Sequence, residues 1–243
     1  MRILLSILGV AFLASCAPKA EVDELSARVE ALEERVEEVE SRPATATASA
    51  GPTAAEEAEA QTVYGQINEA LAAGDTDTAK AKVDVCLKDY GRTKTASRCI
   101  RLKQELDVVG KEVENPVLEK FFVGNGDIDL QSGTTLVVFW EVWCPHCQRE
   151  VPALEATHKK YGSQGLEVVG LTKITKSATE EKVADFVAEQ GVTYTIAKED
   201  GSASQAFAVS GIPAAAVVKD GKVLWRGHPG RLSDEMLEKF LGS

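Results

Sequence analysis

Apolar residues follow three rhythms along this chain. Val22, Leu25, Val29, Leu32, Val36 and Val39 recur at spacings of 3, 4, 3, 4 and 3. These are heptad a and d positions, which predict a coiled coil over 16–40 or a solvated single helix acting as a spacer. At ~1.5 Å per residue the repeat extends on the order of 27 Å. Residues 41–55, rich in Ala, Thr, Ser and Pro, read as a flexible linker. Between 56 and 109 the rhythm turns helical, with Tyr64, Ile67 and Leu71, a Gly74-Asp75 break, then Ala79, Val83 and Leu87, a Tyr90-Gly91 break, and finally Ile100, Leu102 and Leu106. Two or three antiparallel helices are expected. From about 110 to 243, short β-rich runs alternate with amphipathic stretches. The run 136–140 predicts a buried strand that feeds a helix reaching about Tyr161. Strands follow near 166–171, 193–197, 213–219 and 222–227, and helices near 178–190, 202–208 and 233–241. The expected fold class is α/β, a mixed sheet flanked by helices.

Charge separates the regions. The 243 residues carry a net charge of −11. From Ala17 to Ala60 twelve acidic residues face four basic ones, a net of −8, so most of the acidity belongs to the N-terminal arm. No basic cluster is present to neutralise a run of phosphates, which argues against nucleic acid as a partner.

The chain opens with Arg2, an apolar stretch from Ile3 to Ala14, and small residues before Cys16. That pattern over 1–15 is a secretory signal, too short to span a bilayer. Leu13-Ala14-Ser15-Cys16 resembles the bacterial lipobox. The resemblance implies cleavage before Cys16, acylation of Cys16, and membrane attachment through the lipid. Ala17 is not the Asp that retains enteric lipoproteins in the inner membrane, so the outer membrane is favoured. Arg28-Val29-x-x-Leu32-Glu33 and Arg35-Val36-x-x-Val39-Glu40 resemble a pattern of trimeric coiled coils, which implies a homotrimer. The Ala-rich helices around Gly74-Asp75 look like tetratricopeptide-type hairpins, with too few repeats to stack into a solenoid.

Five cysteines are present. Cys86 falls near the end of one expected helix and Cys99 early in the next. Hairpin geometry would let them pair as a structural disulfide in an oxidising compartment, contributing ~3 kcal/mol on the chain-entropy model; two unrelated buried thiols or a second redox pair are the alternatives. Cys144-Pro145-His146-Cys147 directly follows the apolar run. At a helix start, unpaired N–H groups and the helix dipole favour an anion on the first sulfur, so Cys144 is the expected nucleophile and Cys147 the resolving thiol. Pro145 suits a first helical turn. His146, His158 and His228 complete no zinc pattern with two cysteines, and Gln148 stands where haem attachment needs His, so no metal is expected.

Phe139-Trp140-x-x-Trp143-Cys144-Pro145-x-Cys147, with Ser210-Gly211-Ile212-Pro213 and Val223 to Gly227 downstream, resembles the TlpA/ResA-like periplasmic branch of thioredoxin-fold proteins over about 110–243. The resemblance implies a cis Pro213 beside the dithiol, with Ile212 and Pro213, and Trp143 and Pro145 at the dithiol, contacting substrate; a strand-edge proline is the plainer reading of Pro213. It implies proton management by Glu150, which the residues alone read as an exposed helix glutamate. Val138 occupies the position where ordinary thioredoxins carry a buried Asp. Glu141 replaces a usually small residue, either as a second acid near the site or as a solvated side chain. His146 beside Cys144 resembles strongly oxidising relatives, whereas Glu150 and Ile212 resemble the reducing branch.

Together these readings describe an envelope thiol-disulfide oxidoreductase that acts on protein cysteines, probes them from a stalk, and needs no cofactor beyond its own Cys144–Cys147 pair. Its expected partners are cysteine-containing envelope proteins and a membrane or soluble thiol donor or acceptor; cytochrome c maturation is a common task of this branch. A disulfide-forming oxidase or isomerase, or a non-catalytic scaffold lipoprotein, would be the alternative.

Overall fold

The structure, a computed structural model, describes residues 28–29 and 51–242. The expected signal sequence, Cys16, the expected coiled coil apart from residues 28–29, and most of the expected linker lie outside the described residues.

The described chain begins with three helices, α1 (Ala54–Ala72), α2 (Thr76–Tyr90) and α3 (Ala96–Leu106). α1 starts two residues before the helical region expected from 56, because Thr53 and Glu56 form a capping box: the Thr53 N–H donates to Glu56 Oε2 at 2.7 Å, and the Glu56 N–H donates to Thr53 Oγ1 at 3.1 Å. Asp75 caps α2 in the same manner, accepting from the Thr78 N–H at 3.0 Å. The Glu57 carboxylate then reaches across to the start of α3 and accepts from the backbone N–H groups of Lys94 and Thr95 at 2.8 and 3.2 Å. One side chain of α1 thereby satisfies donors that the helix terminus would leave open. Ile67, Val83, Leu102 and Leu106 fill the interior, and Cys86 and Cys99 are joined there by a disulfide.

The second half is a six-stranded sheet in the order β1-β4-β3-β2-β5-β6, formed by β1 (Leu118–Val123), β2 (Thr134–Trp140), β3 (Leu166–Thr172), β4 (Thr195–Glu199), β5 (Ala214–Lys219) and β6 (Lys222–Gly227). β2, β3 and β4 are parallel; β1, β5 and β6 run antiparallel to their neighbours. Helices α4 (Pro145–Tyr161), α5 (Glu180–Glu189), α6 (Ser202–Ala206) and α7 (Asp234–Gly242) complete it. This is a thioredoxin-like α/β arrangement.

β2 lies centrally and every one of its residues is buried, which is why it reads as a continuous apolar run. Its side chains alternate between faces. Leu136, Val138 and Trp140 join the core that holds Cys144, Cys147, Val151 and Leu154 of the dithiol helix, while Val137 and Phe139 pack with Phe207 and Val169 on the opposite face. Gly170, opposite Val138 on β3, makes room for the Trp140 indole, since a Cβ there would lie 3.1 Å from Trp140 Nε1. Three basic residues in the last turn of α4, His158, Lys159 and Lys160, complement its negative end.

Candidate active site

β2 delivers the chain to the site, and the turn Glu141–Trp143 converts strand to helix. Cys144 is the N-cap of α4, in an extended conformation, and Pro145 occupies the first turn, where a missing N–H costs nothing. The Cys144 N–H donates to the Glu141 carbonyl at 3.1 Å, closing the turn. Cys144 is 5 % exposed and Cys147 fully enclosed, both as free thiols. Burial, which penalises a charged sulfur, pushes the Cys147 thiol up to about 12. Cys147 is thus a poor nucleophile in isolation, a property suited to a resolving thiol that must wait for its partner.

The loop before β5 closes over the dithiol. The Ile212–Pro213 peptide bond is cis, and the Ile212 carbonyl accepts from the Cys144 thiol at 3.8 Å. Pro213 is buried and Ile212 half-buried. The chain thus brings Cys144, Cys147, Ile212 and Pro213 together from residues almost seventy positions apart. Val138 sits beneath them, enclosed in the same core as both cysteines, so the strand contributes no acid there.

Glu141 does. It is 7 % exposed; its carboxylate accepts from Trp143 Nε1–H at 2.7 Å and from the Thr175 hydroxyl. Of the two descriptions open for this residue, a second acid near the site fits a side chain that is buried and not solvated, and its charge adds, after burial, to the causes that disfavour the Cys147 thiolate. Trp143 is held between this carboxylate and Lys176, whose Nζ lies 3.2 Å from the ring centroid. Thr175 and Lys176 arrive from the loop after β3, with Lys176 in a left-handed conformation at φ 52°; nothing local in the sequence marks them.

Glu150 is half-buried on the next turn of α4, with Oε1 directed at the Pro229–Arg231 turn, 3.5 Å from where a Cβ on Gly230 would stand. Among the described residues no hydrogen bond links it to either cysteine. His146 is exposed, and its Nδ1 lies 2.7 Å from Arg149 Nη2. A guanidinium can only donate, so the imidazole accepts. Arg149, which also donates to the Pro145 carbonyl at 3.2 Å, brings a permanent cation to the mouth of the site. Its spacing of three residues from His146 on one helix was the available signal. His158 and His228 lie away from the dithiol, the first against the Tyr194 ring and the second accepting from the Gly230 N–H.

Residues 126–226 match the model of the AhpC/TSA family. The thiol-disulfide oxidoreductase ResA of Halalkalibacterium halodurans is 25 % identical over 134 residues, 54 % of this chain and 74 % of the relative. ResA of Bacillus thuringiensis subsp. konkukian is 27 % identical over 142 residues, 57 % of this chain and 80 % of the relative. Among solved structures, StoA from Bacillus subtilis aligns with a TM-score of 0.43 at 19 % identity, covering 55 % of this chain and 98 % of that one. A thiol:disulfide interchange protein DsbE from Chlorobium tepidum aligns with 0.43 at 20 %, covering 54 % and 99 %. With a central dithiol strand, a helix-capping cysteine and a cis-proline loop, residues 126–226 match the AhpC/TSA family model and are similar to the ResA thiol-disulfide oxidoreductases, in a thioredoxin-like fold.

Proposed function

We propose that this chain is a thiol-disulfide oxidoreductase of the bacterial cell envelope that reduces disulfides in client proteins. The observation carrying this reading is the approach of Cys144 to the Ile212 carbonyl beside a cis Pro213. A client chain pairing with that backbone presents its sulfur to Cys144. The Cys144 thiolate attacks the client disulfide, one client sulfur leaves as a thiolate, and a mixed disulfide forms. Cys147 then loses its proton and attacks the Cys144 sulfur, which releases the second client thiolate and leaves the Cys144–Cys147 disulfide. Two electrons and two protons pass to the client, and an external dithiol must restore the enzyme. Glu141 or Glu150 supplies the proton acceptor for Cys147.

Further parts of the proposal rest on the sequence patterns. Cys16 is lipidated, the heptad segment trimerises, and the linker lets the catalytic domain search near the membrane surface, with the outer membrane favoured. The three helices act as a tetratricopeptide-like module, and apocytochrome c is one client of the right chemistry. The Pro145-His146 dipeptide with Arg149 favours a second reading, an oxidase or isomerase, because positive charge stabilises the reduced pair.

Equilibration of the Cys144/Cys147 pair against glutathione tests direction. A potential near ~−270 mV is expected for a reductant, and one near ~−120 mV would replace it with the oxidase. Absence of any insulin-disulfide turnover by the unmodified protein, with binding of clients intact, would leave the scaffold reading instead.

A further inference from the structure

The cis-proline loop has a second neighbour. A cleft of about 320 Å³ opens beside Ile212 and Pro213, and its far wall is the helical module. Arg98, Arg101 and Glu105 line it from one face of α3, Tyr64 from α1, and Arg226 and Arg231 from β6 and the turn after it. Four arginines against one carboxylate reverse the sign of a chain whose net charge is −11.

Two details indicate a place prepared for an anion. Arg98 is held with its guanidinium 5.6 Å from the Tyr64 ring centroid, and so is kept facing the cleft instead of ranging through solvent. Arg226 is 3 % exposed; its Nε and Nη1 donate to the carbonyls of Phe207 and Gly227 at 2.9 and 3.2 Å, and Nη1 lies 3.5 Å from the Ala215 carbonyl. Among the described residues its buried Nη2 has no hydrogen-bond partner, although a guanidinium N–H taken out of water demands an acceptor. Among the described residues none of the four arginines forms an ion pair with a carboxylate. An adjoining recess of about 10 Å³ is shared by Arg226 and Arg231, room for about one water; the larger cleft alone accommodates a carboxylate side chain.

We propose that this arginine-lined cleft is the specificity subsite of the enzyme, and that its ligand is an Asp or Glu side chain on an extended client segment flanking the reactive cysteine. The inference rests on the oxidoreductase reading above. A client strand aligned along the cis-proline loop passes from Cys144 to the cleft, because the cleft begins at the residue whose carbonyl touches Cys144. Planar guanidinium groups match carboxylates in two-point contact. The helical module is therefore a wall of the substrate site, supplying Arg98 and Arg101 to it.

The test uses the full chain carrying C144S and C147S, with fluorescent, cysteine-free dodecapeptides in which the residues around a central serine are Asp/Glu, Asn/Gln or Lys. Anisotropy at low ionic strength is expected to give the acidic peptide at least about tenfold tighter binding than the lysine peptide, a preference that shrinks as salt screens it. R98Q/R101Q is expected to reduce the ratio to below about twofold. Equal binding of acidic and basic peptides, a preference that survives R98Q/R101Q, or acetyl-glutamate amide binding as tightly as the peptide would each overturn the proposal. Insulin-disulfide turnover by the unmodified chain is read separately, so a missing dithiol activity and a missing acidic preference are distinguished.

Discussion

Replacing Cys144 by Ser isolates Cys147 and exposes its chemistry to direct measurement. Burial holds this thiol at about 12 against an ordinary 9.0, a difference of three units in the direction that disfavours the thiolate. Removing Cys144 takes away smaller contributions of the same sign and leaves the burial. At pH 8 the thiolate population is about a thousandfold below that of an unperturbed thiol. A more basic thiolate is also more nucleophilic, and with a Brønsted slope of about 0.4–0.5 it regains roughly 1.2–1.5 decades. Alkylation by iodoacetamide is therefore expected to be about 30–60-fold slower than for a free thiol, before the complete enclosure of Cys147 slows it further. The assay follows the mass of the Cys147 peptide through a pH series, so Cys16 does not interfere. Rates should climb steadily beyond pH 10 with no plateau. A half-maximum near pH 9, or a rate within about threefold of a free thiol, would show that the dithiol helix does not bury this sulfur as described, and would remove the reason for assigning Cys147 the resolving role.

Other consequences can be checked on the same preparation. The Cys86–Cys99 bond closes a loop with a sequence separation of 13, so C86A/C99A is expected to lose about 3 kcal/mol and, at about 2–4 °C per kcal/mol, to melt about 6–12 °C lower by circular dichroism; a drop below about 2 °C would refute the constraint. Adding a methyl at Gly170 drives it into Ile196 and within 3.1 Å of Trp140 Nε1, and G170A should cost about 1–3 kcal/mol in urea unfolding, with no change signalling a looser core. Glu155 is resisted by burial, yet the Thr193 hydroxyl and N–H, at 2.6 and 2.8 Å, and Lys159 hold its carboxyl down to about 2 from 4.5. A depressed carboxylate gives stability that is complete above about pH 4.5 and is lost as pH falls through about 2. E155Q should flatten the stability profile across that window, and an unchanged profile would contradict the network.

The dithiol, the strand before it, the order of later elements and the partners Ile212 and Pro213 were legible because each has a local or motif-level signature: a fully apolar strand, a proline after the first cysteine, β-rich runs separated by glycine turns. The edge strand β1 was missed, since its residues are mostly half-exposed and alternate poorly, and its existence depends on pairing with β4 far along the chain. α1 begins two residues earlier than the alanine-rich composition around it suggests, because the Thr53-x-x-Glu56 box caps it. At the site, Glu141 was left between two descriptions. Its burial is decided by Thr175, a residue thirty-four positions away, and sequence carries no measure of that encounter. The cleft was illegible for the same reason: α3 arginines look like an ordinary solvated face until the sheet is placed behind them.

The connector between the three helices and the sheet has a consequence for the sheet edge it covers. Gly110 donates to the Val223 carbonyl at 2.8 Å, Val223 donates to the Lys111 carbonyl at 2.9 Å, and Val113 donates to the Gly221 carbonyl at 2.9 Å, and α3 also approaches β6. An open outer strand is a template on which any extended polypeptide can grow a sheet. By pairing residues 110–113 with the start of β6, the molecule closes that part of one sheet edge to such growth, while β1 forms the other edge. The connector that joins the helices to the sheet thus also shields the stretch of outer strand it covers from strand addition.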